Sequence, residues 1–234
     1  MRVCWFSAGV SSFVAAMISK PDKIIYIDID DQHPDSMRFV KDCEKHLERE
    51  IEILKSSYGS VDNVCRAFSF IASAYGAKCT DVLKKRVRKE WERQQTEPLT
   101  YIWGMDVNES HRATNIIEAN PRAEHEFPLI KYRLNKSDAH GLCAECKVKR
   151  PIMYDMGYSN NNCIGCVKGG KGYWNKIRVD FPEVFASRAK LERDIGHSCI
   201  KGTFLDELDP NAGRMSEEIM DDCSIFCELA KPLI

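Results

Sequence analysis

Two groups of residues have the types and spacing to do chemistry. The first is Ser7-Ala8-Gly9-Val10-Ser11-Ser12, small and hydroxyl-bearing residues directly after an apolar run. Such a loop lets backbone N–H groups close on an anion while the hydroxyls add donors, which is the chemistry of phosphate or pyrophosphate binding. The competing reading is a turn that only packs a helix onto a sheet. The second group is Cys143-Ala144-Glu145-Cys146 with Cys163-Ile164-Gly165-Cys166, two C-x-x-C pairs sixteen residues apart. Each pair can chelate through two thiolates on one tight turn, and four cysteinates at this spacing suit Zn2+ or, alternatively, an iron–sulfur cluster. Disulfides and free thiols remain as other uses of the same residues.

For the loop to meet an anion it must stand at the carboxyl end of a buried strand and open a helix. Arg2 to Phe6 reads as that strand, and Phe13 to Ile18 has the small residues of a helix lying on a sheet. Lys23 to Ile27, Ile51 to Leu54 and Thr100 to Gly104 read as further strands. Between and after them, helices are predicted from Pro34 to about Glu50, Val61 to Tyr75, Thr80 to Gln95 and Ser110 to Ala119. This alternation specifies an α/β fold, a Rossmann-like doubly wound parallel sheet, over residues 1–136. From about Ser137 to Gly172 no period of two or of 3.6 is sustained, so residues 137–234 read as a metal-bound, cysteine-rich appendage with C-terminal helices, one of them Phe181 to Ile195.

Four blocks in order carry a family resemblance. Ser7 to Ser12 resembles the S-G-G-x-D-S phosphate loop of the ATP-pyrophosphatase (PP-loop) superfamily, with Ala8 for a glycine and Ser11 for the aspartate. Asp28-Ile29-Asp30-Asp31-Gln32-His33-Pro34-Asp35-Ser36, Cys79-Thr80-Asp81-Val82-Leu83-Lys84 and Tyr101 to Arg112, ending Glu109-Ser110-His111-Arg112, resemble the later blocks of its phosphoadenosine phosphosulfate (PAPS) reductase-like branch. The resemblance implies an adenine nucleotide alpha hydrolase-like fold and an adenine nucleotide as substrate: PAPS, adenylyl sulfate or ATP. It implies that Ser7, Ala8, Gly9, Val10, Ser11 and Ser12 hold phosphate and that Asp28 and Asp30 border the adenine or ribose. Gly104 and Glu109 would belong to the same nucleotide site, while Lys84 and Arg112 would face its anionic end as catalytic cations. Read without the family, Lys84 and Arg112 are solvated helix charges, and Glu109 and Asp106 either cap the next helix or hold Mg2+.

The chain also departs from that family. The Glu-Cys-Gly-x-His-like tail of the authentic reductases is absent, and Cys223 with Cys227 is the cysteine pair near the C-terminus; on a helix both thiols share a face, as a redox pair or as packing residues. Ser11 separates the chain from enzymes that split ATP with an aspartate near metal. Lys168 to Arg178 gathers cations, glycines, Tyr173 and Trp174 into a lid, a nucleic-acid contact or a solvated rim. Three function classes follow: a PAPS reductase-like enzyme drawing on a thiol donor protein, an enzyme adenylating a nucleic-acid base or other acceptor, and a non-catalytic nucleotide-binding module.

With 234 residues, a net charge of -1 and 44% hydrophobic residues, the chain is globular and lacks a generally basic surface. No apolar stretch approaches the roughly 18 residues of a membrane span, and eleven cysteines in a chain this long point to metal or redox chemistry over secreted disulfides. A cytoplasmic protein with no membrane partner is expected. A homodimer is compatible with the sequence. The isolated Cys4, Cys43, Cys65, Cys79 and Cys199 read as small buried hydrophobes.

Overall fold

A computed structural model describes residues 1–73, 76–121 and 123–215. In chain order the elements are β1 (Arg2–Phe6), α1 (Val10–Ser19), β2 (Lys23–Asp28), α2 (Asp35–Leu47), β3 (Ile51–Lys55) and α3 (Val61–Phe68). The short strands β4 (Ala72–Ser73) and β5 (Gly76–Ala77) come next, before α4 (Lys78–Thr80), a π turn (Asp81–Lys85) and α5 (Arg86–Glu92). Then come β6 (Thr100–Ile102), α6 (Ser110–Ala119), β7 (Glu124–Glu126), α7 (Pro128–Lys131), α8 (Lys136–Glu145), α9 (Ile152–Asp155), α10 (Lys171–Asp180) and α11 (Pro182–Ile195). Contacts group the chain into two compact units, each assembled from three stretches: Met1–Asp28, His33–Leu54 and Glu90–Asn161 in the first, and Ile29–Gln32, Lys55–Lys89 and Asn162–Ile234 in the second.

The first unit is built on a five-stranded sheet of order β3-β2-β1-β6-β7. β1 pairs in parallel with β2 on one side and β6 on the other, and β6 pairs in parallel with β7. The expected α/β class and parallel sheet are therefore present; β7 was not expected, because Glu-His-Glu carries no apolar signal. β1 has the continuous apolar sequence of a strand covered on both faces. Cys4 and Phe6 join the core with Phe13, Phe39, Ala139 and Cys143, while Trp5 meets Trp91 edge to face at 5.6 Å and lies beside Tyr101. α1 is buried from Val10 to Ala16, because α7 and α8 cover the side turned from the sheet.

α8 corrects the expectation of an aperiodic segment. It begins with a capping box in which the Asn135 side chain accepts from the Asp138 amide at 3.0 Å and Asp138 accepts from the Asn135 amide at 2.8 Å. Its buried positions are Ala139 and Cys143, spaced i, i+4, which seat it on α1. A stripe of two residues is too thin to register as a period in the sequence.

The second unit packs Val61, Val64, Cys65, Ile71, Val82, Leu83 and Leu191 into its own core. α3 ends earlier than expected because Ser69 takes a left-handed conformation, φ 47°. The helix expected from Thr80 is interrupted by the π turn, whose Asp81 is paired with Lys78 at 3.1 Å and Arg86 at 3.0 Å. Arg188 is buried against Asp31 at 2.9 Å, and the fully buried Glu192 accepts from the amides of Cys199 and Leu205 at 2.5 and 2.6 Å. No helix among the described residues is long and apolar enough to cross a membrane.

Candidate functional site

In the first unit the chain leaves β1, builds β2 and β3 to one side and returns to build β6 and β7 on the other. The carboxyl ends of β1 and β6 thus flank the point where strand order reverses, where a parallel sheet leaves a crevice for ligands. Ser7 to Gly9 follow β1 there, and Gly104 follows β6. A β-carbon on Gly104 would lie 2.6 Å from the Ser12 backbone nitrogen, so the two loops touch through main chain alone.

Ala8 has φ 56°, the left-handed region, at a cost of about 1 kcal/mol for a residue with a side chain. Gly9 is extended, and α1 starts at Val10 with no side-chain cap and no acidic residue in its first turn. The first intrahelical bond is Phe13 N–H to the Gly9 carbonyl at 3.1 Å. The amides of Val10, Ser11 and Ser12 therefore have no partner within the helix, and they sit at the positive end of its dipole. The Ser12 hydroxyl accepts from the Ser7 and Gly9 amides at 3.2 and 3.3 Å and donates to the Gly9 carbonyl at 2.8 Å. The two amide contacts are long, and an anionic oxygen would form shorter, charge-assisted bonds with such donors.

Residues well downstream hold the loop in this shape. Asn161, 6% exposed, donates from Nδ2 to the Ala8 carbonyl at 2.8 Å and to Ser36 Oγ at 3.0 Å. The first of these bonds offsets the strained peptide of Ala8 and fixes the carboxamide orientation, since its oxygen would repel that carbonyl. The Asn161 carboxamide oxygen is buried without a hydrogen-bond partner. Asp35, one residue before Ser36, accepts from the Ile152 amide at 2.8 Å and from Arg38 at 2.8 and 2.7 Å. Arg38 in turn donates to the carbonyls of Lys149 and Arg150 at 2.6 and 3.0 Å. The Arg38 guanidinium, and next to it the Ile152 amide, hold the Asp35 carboxyl below its usual range against the effect of burial. The block Pro34-Asp35-Ser36 thus opens α2 as expected and also ties residues 149–161 to the loop.

Of the other residues singled out from the sequence, Asp28 ends β2 in the first unit. Glu109 caps its own helix start, accepting from the Asp106 amide at 3.2 Å, and its other oxygen pairs with buried Arg112. Asp106 accepts from the Asn108 amide at 2.8 Å, so capping is the role both acids show. Asp30 and Lys84 belong to the second unit. There Asp30 pairs with Lys55 at 2.5 Å, and Lys84 lies in the π turn beside Cys79, Cys163 and Cys166 around an apolar cavity of about 20 Å³, room for about one water. Cys223 and Cys227 lie outside the described residues.

Twelve chains among the solved structures match this one in three dimensions. One is a phosphoadenylyl-sulfate (PAPS) reductase from Candida auris in a phosphate complex, similar at TM-score 0.49 and 14% identity over 69% of this chain and 80% of that one. No family model matches the chain, and no curated protein does.

Cys143 and Cys146 are in the first unit and Cys163 and Cys166 in the second, and among the described residues no three His, Cys, Asp or Glu side chains stand together as a metal site. The Cys143 thiol donates to the Val148 carbonyl at 3.2 Å, and burial pushes its pKa up to about 11. The Cys146 thiol meets the Met17 sulfur at 3.4 Å. Cys4, Cys43, Cys65 and Cys79 are buried, as expected of isolated cysteines.

The residues beside the loop that the sequence reading missed are Ser36, Asn161 and Tyr154, whose hydroxyl would lie 3.1 Å from a β-carbon on Gly9. Ser36 was in view only as a helix opener. Asn161 and Tyr154 lie in the segment assigned to metal, and nothing local to them marks an approach to residues 8 and 9.

Proposed function

We propose that the protein binds an adenine nucleotide by its phosphates in the β1–α1 loop and works as a PAPS reductase-like protein in sulfur or nucleotidyl transfer, on PAPS, adenylyl sulfate or ATP. The observation that carries the reading is the uncapped start of α1 at the strand-order reversal, with Gly104 giving it main-chain contact and Asn161 holding Ala8. The loop supplies amide and hydroxyl donors and no carboxylate, which suits an oxyanion bound directly. The choice of adenine rests on the sequence blocks alone.

Transfer of an adenylyl group to an acceptor is supported less, because Ser11 stands where that chemistry places an aspartate and the first turn of α1 has no acid in its stead. The residues that would carry out reduction, Cys223 and Cys227, lie outside the described residues.

Calorimetric titration of ATP, adenylyl sulfate and PAPS, with adenosine as control, tests the reading. Nucleotides with phosphate should bind at least tenfold tighter than adenosine, and Gly9→Val, which forces a side chain against the Tyr154 hydroxyl, should abolish binding. Unchanged affinity in Gly9→Val would move the site elsewhere. Sulfite release with a dithiol reductant, against AMP or pyrophosphate release with Mg2+, then separates the two reactions.

A further inference from the structure

We propose that Tyr154 is a ligand-binding residue of this site, its phenolic hydroxyl donating a hydrogen bond to the oxyanion held by the β1–α1 loop, with Lys136 supplying a neighbouring positive charge. The inference rests on the loop being a phosphate site and names the group that closes it.

Position comes first. A β-carbon on Gly9 would stand 3.1 Å from the Tyr154 hydroxyl, so the phenol sits over the residue from which α1 starts. A hydroxyl there lies at the start of the helix whose first-turn amides have no intrahelical partner, and phenol is a good donor to phosphate or sulfate oxygen.

The ring is also held in place. His140 meets it edge-on, with centroids 4.6 Å apart and planes at 89°, and the Lys136 ammonium is 5.9 Å from the ring centroid. Lys136 is itself fixed by the Asn160 side-chain oxygen. Beneath the ring, α9 is anchored by the Asp35 carboxylate on Ile152. A side chain so supported loses little freedom when a ligand arrives. His140 stays neutral near pH 7, since burial and then the charges of Arg150 and Lys136 lower its pKa; Lys136 is thus the cation beside the phenol.

A separate observation points to a ligand at the same place. The Asn161 carboxamide, 6% exposed, is bound to Ala8 through nitrogen while its oxygen has no partner. A buried acceptor left unpaired beside an anion loop is what a hydroxyl or amine of a bound molecule would satisfy.

The test uses the full chain as wild type, Tyr154→Phe and Gly9→Val, titrated with ATP, inorganic pyrophosphate and adenosine. Phe keeps the ring against His140, so the variant should still fold and melt in a single cooperative transition. Tyr154→Phe should weaken ATP and pyrophosphate alike, by roughly tenfold or more, and leave adenosine unchanged. If Tyr154→Phe binds both anions as wild type does while Gly9→Val binds neither, the loop reading stands and the role of Tyr154 is overturned. An equal loss for all three compounds, with a lowered melting temperature, would make Tyr154 a structural residue and overturn it too. Wild type that binds neither anion removes the loop reading, and Tyr154 as its ligand falls with it.

Discussion

The β1–α1 loop and the paired cysteines were both singled out by spacing, and the structure treats them differently. The loop needs only what is contiguous in the chain: a strand end, one left-handed residue, a helix start. All three occur between Phe6 and Val10. The cysteine array needs two pairs sixteen residues apart to be brought together by everything around them, and the chain places one pair in each compact unit. In the first unit Cys143 serves as a core residue between α8 and α1. Spacing constrains local geometry well, whereas the convergence of two distant pairs depends on every segment between them.

The largest expected effect attacks the loop through its neighbour. Gly104→Ala puts a methyl group 2.6 Å from the Ser12 backbone, where no side chain can yield, so β6 and α1 must part. A loss of about 3 kcal/mol, or roughly 6–12 °C in melting temperature, is expected together with loss of nucleotide binding. A Gly104→Ala protein that melts and binds as wild type would mean that the two loops are not in main-chain contact, and the comparison would lose its better half.

Next in size is the cysteine side. Cys143→Ser keeps a donor for the Val148 carbonyl but buries a hydroxyl in an apolar core, so a loss of about 1–2 kcal/mol is expected. The same melting experiment after incubation with a chelator should show no shift for wild type. A large fall on chelation, with about one metal per chain by elemental analysis, would show that the pairs do assemble and would erase the contrast with the loop.

Asp35 tests how the two regions are joined. Its folded-state pKa lies below the unfolded value of about 3.9, so the stability it contributes is complete above that pH and is lost as pH falls through the folded value. Asp35→Asn should therefore melt lower than wild type at pH 7, and the two should converge as pH falls through the folded-state value of Asp35. It should also weaken ATP binding several-fold, because residues 149–161 lose their tie to α2. A constant difference across this range would mean that the charge of Asp35 is not what holds Ile152 and Arg38.

How much was legible follows the same division. β1, β2 and β6 were readable because strands inside a parallel sheet are largely apolar, β3 from its alternating isoleucines although it is a half-exposed edge strand, and α6 because it is amphipathic between clear ends. β7 was not, since Glu124 and Glu126 use their carboxylates on Thr100 and Arg2 and leave no hydrophobic trace. At the site, Ser7 to Ser12 stood out by small and hydroxyl-bearing residues after a strand, and Gly104 only through the family resemblance. Asn161 and Tyr154 could not, because what brings them to the loop is a pair of bonds from Asp35 and Ser36 that span more than a hundred residues.

The smallest expected effect concerns the position where the resembled loop has glycine. Ala8 takes a φ of 56° that glycine adopts freely, so Ala8→Gly should recover about 1 kcal/mol of backbone strain. Against that stand the extra freedom of glycine in the unfolded chain, about 0.5–1 kcal/mol, and a methyl group, fully buried here, worth about 0.8 kcal/mol. The terms nearly cancel, so the melting temperature should move by no more than about 2 °C and nucleotide affinity should stay the same. Since Asn161 binds the Ala8 carbonyl and not its side chain, the Ala8→Gly loop keeps its hold. In Asn161→Ala that hold is gone, and there Ala8→Gly should restore part of the lost affinity, because glycine needs no help to stay left-handed. If it restores none, Asn161 acts on the ligand and not on the backbone of residue 8.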